Sequence, residues 1–167
     1  MASRDPYDLV PEMQQHALML QETLPVLVYC TVRTAEEQAR LWRQGRSWWR
    51  ILKKIEELTD AGYGFLADIL YSVGPQHVNL KVTNAVPGDS WHNYGEAFDC
   101  APWVDGKVDW DTHNPVWKQI GEFAHDHKLN WGGNWISFKD YPHIQLRKGD
   151  TPIGMFTMDE IRERIKL

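Results

Sequence analysis

The chain has 167 residues, of which 43% are apolar and 25% are charged, and its formal net charge is −5. This length and composition are typical of one globular domain that can bury a sizeable core. They argue against a non-specific nucleic-acid binder, which needs a basic surface, and against membrane insertion, which needs about 20 consecutive apolar residues.

The N-terminal part of the chain predicts two helices around one strand. Apolar side chains at helical spacing predict an amphipathic helix over residues 9–24, and the β-branched run at 26–32 predicts a buried strand. Thr34 is expected to cap a second helix that ends near Gly45, because Glu37 completes a capping box three residues later.

The rest of the chain predicts helices interspersed with few, short strands. In chain order we predict two helical pieces within 47–73, a strand at 78–82, a loop at 84–89, a strand entered at 95–100, a hairpin turn at 105–106, a helix at 115–127, a glycine-bearing loop at 131–135, a strand at 143–146 and a terminal helix at 157–166. Short strands scattered among longer helices favour the α+β class over a regular βαβ array.

Two clusters of histidine and carboxylate residues are the strongest candidates for chemistry. His92 and Asp99 stand seven residues apart across Gly95, and Asp140 and His143 form a second cluster just over forty residues later. Hydrolytic zinc sites commonly combine three nitrogen or oxygen ligands with one open position. His92, Asp99 and His143 fit as ligands. Asp140 fits as a general base. Spacing alone leaves open that both histidines are ordinary hydrogen-bonded residues at loop ends.

Two further features bear on the compartment of the protein. Two cysteines make no disulfide framework, so Cys30 and Cys100 are expected to be buried thiols. The first residues contain no apolar segment of the kind found in secretion signals, so we expect synthesis in a cytoplasm without a signal peptide.

The two clusters stand in longer motifs that resemble the M15 zinc peptidases, which include D-Ala-D-Ala carboxypeptidases and L-alanyl-D-glutamate endopeptidases. Ser-Trp-His-Asn-Tyr-Gly-Glu-Ala-Phe-Asp at 90–99 matches the family signature Ser-x-His-x-x-Gly-x-Ala-x-Asp. Asp-Tyr-Pro-His at 140–143 matches its closing acid-x-x-His motif. Residues 32–38 resemble its upstream Arg…Gln element, and residues 82–85 resemble the strand before the first ligand.

The resemblance implies both a site and a fold. The implied ligands of one zinc ion per chain are His92, Asp99 and His143, with Asp140 as general base. Arg33 is implied to hold a substrate carboxylate or to stabilise an oxyanion. The other implied substrate-binding residues are Gln38, Thr83 and Ser90. The implied fold is a small central antiparallel sheet flanked by helices, with zinc in a cleft at the sheet, as in hedgehog and D,D-peptidase-like proteins.

The identity of the base indicates a branch of this family. Aspartate at 140 resembles phage endolysins and related endopeptidases that cut the L-Ala-D-Glu bond of the peptidoglycan stem peptide, whereas D-Ala-D-Ala enzymes typically carry glutamate there. We therefore expect a monomeric endolysin that is made in the host cytoplasm and reaches the cell wall after holin-type release. A D-Ala-D-Ala carboxypeptidase of the same family and a non-catalytic, metal-containing wall-binding module stay open as alternatives.

One segment departs from the family pattern. Residues 46–76 are longer than the usual link between the glutamine helix and the strand before the zinc loop. Their helical pattern, with Trp48 and Trp49, predicts an added helical hairpin. We expect this insertion to belong to a single catalytic domain over residues 1–167.

Overall fold

The structure is a computed structural model that describes residues 2–75, 80–149 and 151–165. The described residues form seven α-helices and five strands. In chain order these are α1 (Pro11–Thr23), β1 (Val26–Cys30), α2 (Ala35–Arg43), α3 (Trp48–Asp60), α4 (Gly64–Ser72), β2 (Ala97–Val104), β3 (Lys107–Val108), α5 (Pro115–Asp126), β4 (Asn130–Trp131), β5 (His143–Gln145), α6 (Pro152–Met155) and α7 (Met158–Arg164). Within these ranges, no helix is both long and apolar enough to cross a membrane.

The chain divides into two compact units. The sheet unit comprises Ala2–Val32 and Tyr94–Gly149, and the helical unit comprises Arg33–Asn93 and Asp150–Leu167. Each unit has its own buried apolar cluster, so each is described separately below.

The sheet unit is built on an antiparallel sheet with the strand order β1-β2-β5-β4, and β3 forms a hairpin with β2. Helices α1 and α5 bury their apolar faces against this sheet in one core. Its most buried side chains include Met13, Leu20, Phe98, Ile120 and Ile144. Fully burying a side chain of this size stabilises the fold by about 1.5–3 kcal/mol, so this core fixes the strands that carry Asp99 and His143.

The helical unit holds α2, α3, α4, α6 and α7. Helix α2 begins at a complete capping box, in which the Thr34 hydroxyl accepts from the backbone N–H of Glu37 and the Glu37 carboxylate accepts from the N–H of Thr34. The Ser47 hydroxyl caps α3 in the same way by accepting from the N–H of Arg50. The faces that α2, α3 and α4 bury include Trp42, Ile51, Leu58 and Leu70.

The structure confirms the predicted α+β class and most predicted elements, but the strand predicted at 78–82 is wrong where it can be judged. Residues 78–79 lie outside the described residues, and residues 80–82 are not in a strand. Leu80 and Val82 are largely exposed, at 74% and 45%. The Thr83 carbonyl accepts from the Arg46 guanidinium, and the Thr83 hydroxyl accepts from the N–H of Ala85. These polar groups are thus satisfied by a side chain and a turn, not by a strand ladder.

Candidate active site

Asp99 and His143 face each other on neighbouring strands of the sheet unit. They are register partners on β2 and β5, and Oδ1 of Asp99 lies 3.1 Å from Nδ1 of His143. Both residues are buried, with only 6% and 7% of their surface exposed. Burial disfavours the charged form of an ionisable group, so such groups persist in a core only with a compensating partner. Asp99 and His143 are therefore such compensating partners inside the core.

The second ring nitrogen of His143 has a partner that the sequence analysis missed. Nε2 of His143 lies 2.9 Å from Oε1 of Gln145, and the Gln145 amide nitrogen donates to the carbonyl oxygen of Arg147 at 2.7 Å. Because the amide nitrogen is engaged in this way, Oε1 of Gln145 accepts the proton carried by Nε2 of His143. In the neutral ring, Nδ1 then carries the lone pair that faces Asp99.

This arrangement requires a positive charge between Asp99 and His143. A carboxylate oxygen and a ring lone pair cannot bond each other directly, so either a proton or a metal cation must lie between them. Burial alone lowers the pKa of His143, but the hydrogen bond and charge of Asp99, with the charge of Asp140, outweigh it and raise the pKa. The donor set of one imidazole and one carboxylate fits zinc, which accepts both ligand types.

The negative charges of Asp99 and Asp140 also act on Tyr29. The pKa of its hydroxyl is raised, first by burial and then by the negative charges of Asp99 and Asp140. Burial, together with the charge of Asp99, also raises the pKa of the Cys100 thiol. The pKa shifts of Tyr29, Cys100 and His143 therefore all favour the more protonated form, through burial for the two acids and through the carboxylates for all three.

Asp140 is held at the end of the loop that precedes β5. Its N–H donates to the carbonyl oxygen of Gly132 at 3.0 Å, and its carbonyl oxygen accepts from the N–H of His143 at 3.2 Å. Position 132 must be glycine, because a Cβ there would overlap the Asp140 backbone. The loop is further fixed by the Trp131 indole, which donates to the Tyr141 carbonyl oxygen at 2.7 Å. Asp140 is only half-buried, so its carboxylate can exchange protons with solvent.

The helical unit brings together three of the predicted substrate-binding residues. The Arg33 guanidinium donates to Oε1 of Gln38 at 3.5 Å, and the Gln38 amide donates to the Thr83 hydroxyl at 3.5 Å and the Ala85 carbonyl oxygen at 2.8 Å. Gln38 is fully buried and lies on α2, which begins two residues after Arg33. The capped start of α2 thus sets the position of both side chains.

Ser90 and His92 are also buried in the helical unit, at 8% and 1% exposure, and are connected to Arg33 by the backbone. The N–H of Arg33 donates to the carbonyl oxygen of His92 at 3.1 Å. Asn93, which the sequence analysis missed, fixes this connection. Its amide donates to the Arg33 carbonyl oxygen at 2.9 Å, and its Oδ1 accepts from the N–H of Gly88 at 3.0 Å.

Each unit therefore assembles its own share of the predicted residues. The sheet unit holds Asp99, Asp140 and His143, and the helical unit holds Arg33, Gln38, Thr83, Ser90 and His92. The cysteines are both buried and free, which confirms the expected thiols. Cys30 is the register partner of Asp99 on β1, a placement that only the strand pairing reveals.

Comparison with known sequences finds similarity over part of the chain. Residues 83–146 match the M15 peptidase family model described as D-alanyl-D-alanine carboxypeptidase. The chain is 38% identical over 87 residues to the peptidoglycan L-alanyl-D-glutamate endopeptidase CwlK of Bacillus subtilis, covering 47% of this chain and 52% of that protein. It is 35% identical over 68 residues to the L-alanyl-D-glutamate peptidase of Escherichia phage T5, covering 38% and 49%. The chain thus spans about half the length of these two relatives.

Solved structures with some likeness include the Serratia marcescens L-Ala D-Glu endopeptidase ChiX, at 18% identity and a TM-score of 0.47, covering 88% of this chain and 89% of that one. The vancomycin resistance D,D-pentapeptidase VanY aligns at 19% identity and a TM-score of 0.41, covering 92% of this chain and 75% of that one.

The match to the family model at residues 83–146 includes Ser90, His92, Asp99, Asp140 and His143, the residues of both predicted motifs. Residues 83–146 of this chain are therefore similar to the M15 peptidases over the segment that carries both motifs.

Proposed function

We propose that the protein is a zinc-dependent peptidoglycan peptidase that cuts the L-Ala-D-Glu bond of the stem peptide. The observation that carries this proposal is the buried Asp99–His143 pair inside the segment that matches the family. The choice of bond is supported by the names of the two relatives from Bacillus subtilis and phage T5.

One zinc ion per chain is proposed to be held by His92, Asp99 and His143. All three are buried and all three offer nitrogen or oxygen donors that zinc accepts. When bound, zinc acts as a Lewis acid that polarises a carbonyl group and makes hydroxide available near neutral pH. Gln145 keeps the proton of His143 on Nε2, which leaves Nδ1 free to serve as a ligand atom.

The remaining residues are proposed to bind the peptide and move protons. Asp140 accepts a proton from the attacking water and passes it to the leaving amine, which needs a carboxylate with access to solvent. Arg33 offers a forked donor for a substrate carboxylate or for the oxyanion of the tetrahedral intermediate. Gln38, Thr83 and Ser90 offer hydrogen bonds to the peptide groups of the substrate.

Digestion of purified peptidoglycan tests the proposed bond directly. The new termini are identified by mass spectrometry after incubation with zinc-loaded protein. New N-terminal D-Glu or D-isoglutamine is the expected product. Release of free D-Ala would instead establish the D-Ala-D-Ala carboxypeptidase activity that the family description names. Binding to the wall without any new terminus would establish the non-catalytic wall-binding module.

Substitution of Asp140 tests the proposed base. We expect Asp140→Ala to bind zinc as the wild type does and to lose turnover by about 100-fold or more, since general-base catalysis contributes about 10²–10⁴-fold. Asp126→Ala is the matched control, because Asp126 is an exposed carboxylate at the end of α5 in the same unit. Unchanged turnover in Asp140→Ala would remove the base from the mechanism.

We further propose that the enzyme serves a phage in host-cell lysis, a role supported by the phage T5 relative. Expression in a bacterial cytoplasm is expected to leave cells intact until the inner membrane is permeabilised, whereupon the culture should clear. Cells that express Asp140→Ala should not clear after the same treatment. Equal clearing by both proteins would show that lysis does not depend on the proposed activity.

A further inference from the structure

A strongly basic segment stands out in this acidic chain and is not used by the proposed reaction. Residues 40–54 contain six lysine and arginine residues and no acidic residue, although the whole chain carries a net charge of −5. The segment covers the C-terminal end of α2 and the first half of α3, both in the helical unit. Positive charge is therefore concentrated in this segment, although the whole molecule is negatively charged.

Large apolar side chains are exposed on the same part of the helical unit. Trp48 is 49% exposed, Trp49 66% and Leu52 42%, all within the first five residues of α3. Trp48 and Leu52 are four residues apart, so they share a helix face. Tyr71 of α4, which is 59% exposed, extends this surface because its ring centroid lies 6.1 Å from that of Trp48. Contiguous apolar side chains on a surface mark an interaction site.

Cationic groups border these rings directly. Nζ of Lys53 lies 5.7 Å from the centroid of the Trp49 ring. Arg50 lines an adjoining open groove of about 590 Å³, together with Lys81 and the Arg46 guanidinium, which stacks 4.1 Å above the Trp42 ring. Within the described ranges, neither Arg50 nor Lys81 forms a salt bridge. Glu57 lies beside Arg50 and Lys53, and the charges of both help to lower the pKa of its carboxyl, so the positive side chains at this groove outnumber the one carboxylate that they face.

We propose that this surface, formed by Trp48, Trp49, Leu52 and Tyr71 and bordered by Arg50 and Lys53, binds the surface of a lipid bilayer that carries anionic headgroups. Indole and phenol rings favour the boundary between headgroups and acyl chains, where one end is apolar and the other is wet. Basic side chains beside them attract anionic lipids. Leu52 favours a bilayer over an anionic saccharide or a nucleic acid. An aliphatic side chain is stabilised by transfer from water into acyl chains, and neither polar polymer offers such an apolar phase. This binding does not depend on the proposed peptidase activity.

Vesicle co-sedimentation tests the proposal with the full chain. The wild type is mixed with vesicles of equal parts phosphatidylglycerol and phosphatidylcholine, and with vesicles of phosphatidylcholine alone, at low and high salt. We expect binding to the anionic vesicles that weakens at high salt, and little binding to the neutral ones. Arg50→Ala with Lys53→Ala should weaken binding by about tenfold or more, and Trp49→Ala by several-fold.

Matched controls come from the sheet unit. The exposed fraction of Trp110, 59%, is similar to that of Trp49, 66%. Lys107 and Lys118 are exposed cations. Trp110→Ala, and Lys107→Ala with Lys118→Ala, should bind within about twofold of the wild type. Thermal unfolding of each variant shows that binding is compared between folded proteins. The proposal fails if the wild type does not bind anionic vesicles, binds neutral ones equally, or loses as much affinity in the control variants. Binding to a soluble anionic polysaccharide or oligonucleotide in place of vesicles would also overturn it.

Discussion

Single side chains in the sheet unit are linked by one line of hydrogen bonds. It runs from Asp99 through both nitrogens of His143 to Gln145, and ends at the carbonyl oxygen of Arg147. Arg147 is itself fixed by the buried carboxylate of Glu96, whose Oε2 accepts from Nε at 2.6 Å. The ring of His143 therefore has a set orientation before any ligand arrives, which limits the entropy lost on binding.

Gln145 should consequently control metal affinity. We expect Gln145→Leu to weaken zinc binding by about 10–100-fold, because loss of the acceptor at Nε2 frees the ring and its tautomer. Competition with a fluorescent chelator measures this affinity without any need for turnover. Gln15→Leu, at an exposed position on α1 of the same unit, is the control. Zinc affinity that is equal in Gln145→Leu and the wild type would show that His143 needs no such partner.

Asn93 has a structural role of similar weight in the helical unit. It is fully buried and its amide bonds Arg33 and Gly88. Asn93→Ala leaves buried backbone groups without partners, so we expect it to lower the free energy of unfolding by about 2–4 kcal/mol. Urea denaturation measures the change. Asn134→Ala, at an exposed position, should change the same quantity by less than about 0.5 kcal/mol, and a similar loss in both variants would contradict this account.

The residues that the sequence could identify were those with distinctive chemistry. Histidine and aspartate stand out by type and spacing, and the motifs predicted Asp99, Asp140 and His143. Gln145 carries no charge and belongs to no motif, but it stands two residues after His143 on the same strand. Residues at this spacing share a face of a strand, so the alternation of β5 offered a signal that was not used.

At the scale of elements, local rules succeeded where the stabilising contacts are local. The helix starts at Thr34 and Ser47 depend on side chains within three residues, and α2 begins where its capping box predicted. The strand predicted at 78–82 needed a pairing partner, and the residues of that segment do not specify one. The pairing of β2 with β5, which brings Asp99 to His143, joins residues more than forty positions apart and likewise could not be derived from either segment alone.

Gly95 connects the His92 segment to β2 and has a geometry that other residues tolerate poorly. Its φ is +71°, and a Cβ would lie 3.3 Å from the backbone nitrogen of Val10 and 3.4 Å from the carbonyl oxygen of Asp8. Gly95→Ala therefore adds left-handed strain and a tight backbone contact, and we expect it to destabilise the fold by about 1–3 kcal/mol.

Thermal unfolding measures this effect, and a second glycine provides the control. Gly154 lies in α6, and a Cβ there would meet nothing closer than the Thr151 hydroxyl at 3.7 Å. Gly154→Ala should leave the unfolding midpoint unchanged or raise it slightly, because alanine loses less backbone entropy than glycine in a helix. Equal effects of the two substitutions would show that Gly95 is not constrained by its backbone geometry.

At the scale of the whole molecule, the net charge of −5 conceals two opposite local fields. The carboxylates of the sheet unit favour the protonated forms of Tyr29 and His143. The basic segment of the helical unit has the opposite sign, and its Arg40, Arg50 and Lys53 side chains are exposed. Composition alone predicted neither field, because it averages over residues that the fold separates.

Metal binding should be measurable as stability of the whole protein. A cation that binds only the folded state stabilises it by about 2.7 kcal/mol when its concentration is 100 times its dissociation constant. For a chain of this length, that corresponds to a rise of about 5–11 °C in the unfolding midpoint. We therefore expect protein stripped with EDTA to unfold at a lower temperature, and added zinc to restore the midpoint. Magnesium should not, because it prefers octahedral oxygen sites.

Two variants separate a ligand from a base in the same measurement. Asp99→Asn removes the charge of a proposed ligand, so its unfolding midpoint should respond little to zinc. Asp140→Asn should respond as fully as the wild type, since Asp140 is proposed to handle protons and not to bind the metal. A zinc response lost in Asp140→Asn would reassign Asp140 as a ligand. A wild type that shows no response to zinc would contradict the metal site itself, even if Asp99 and His143 remain paired in the core through a shared proton.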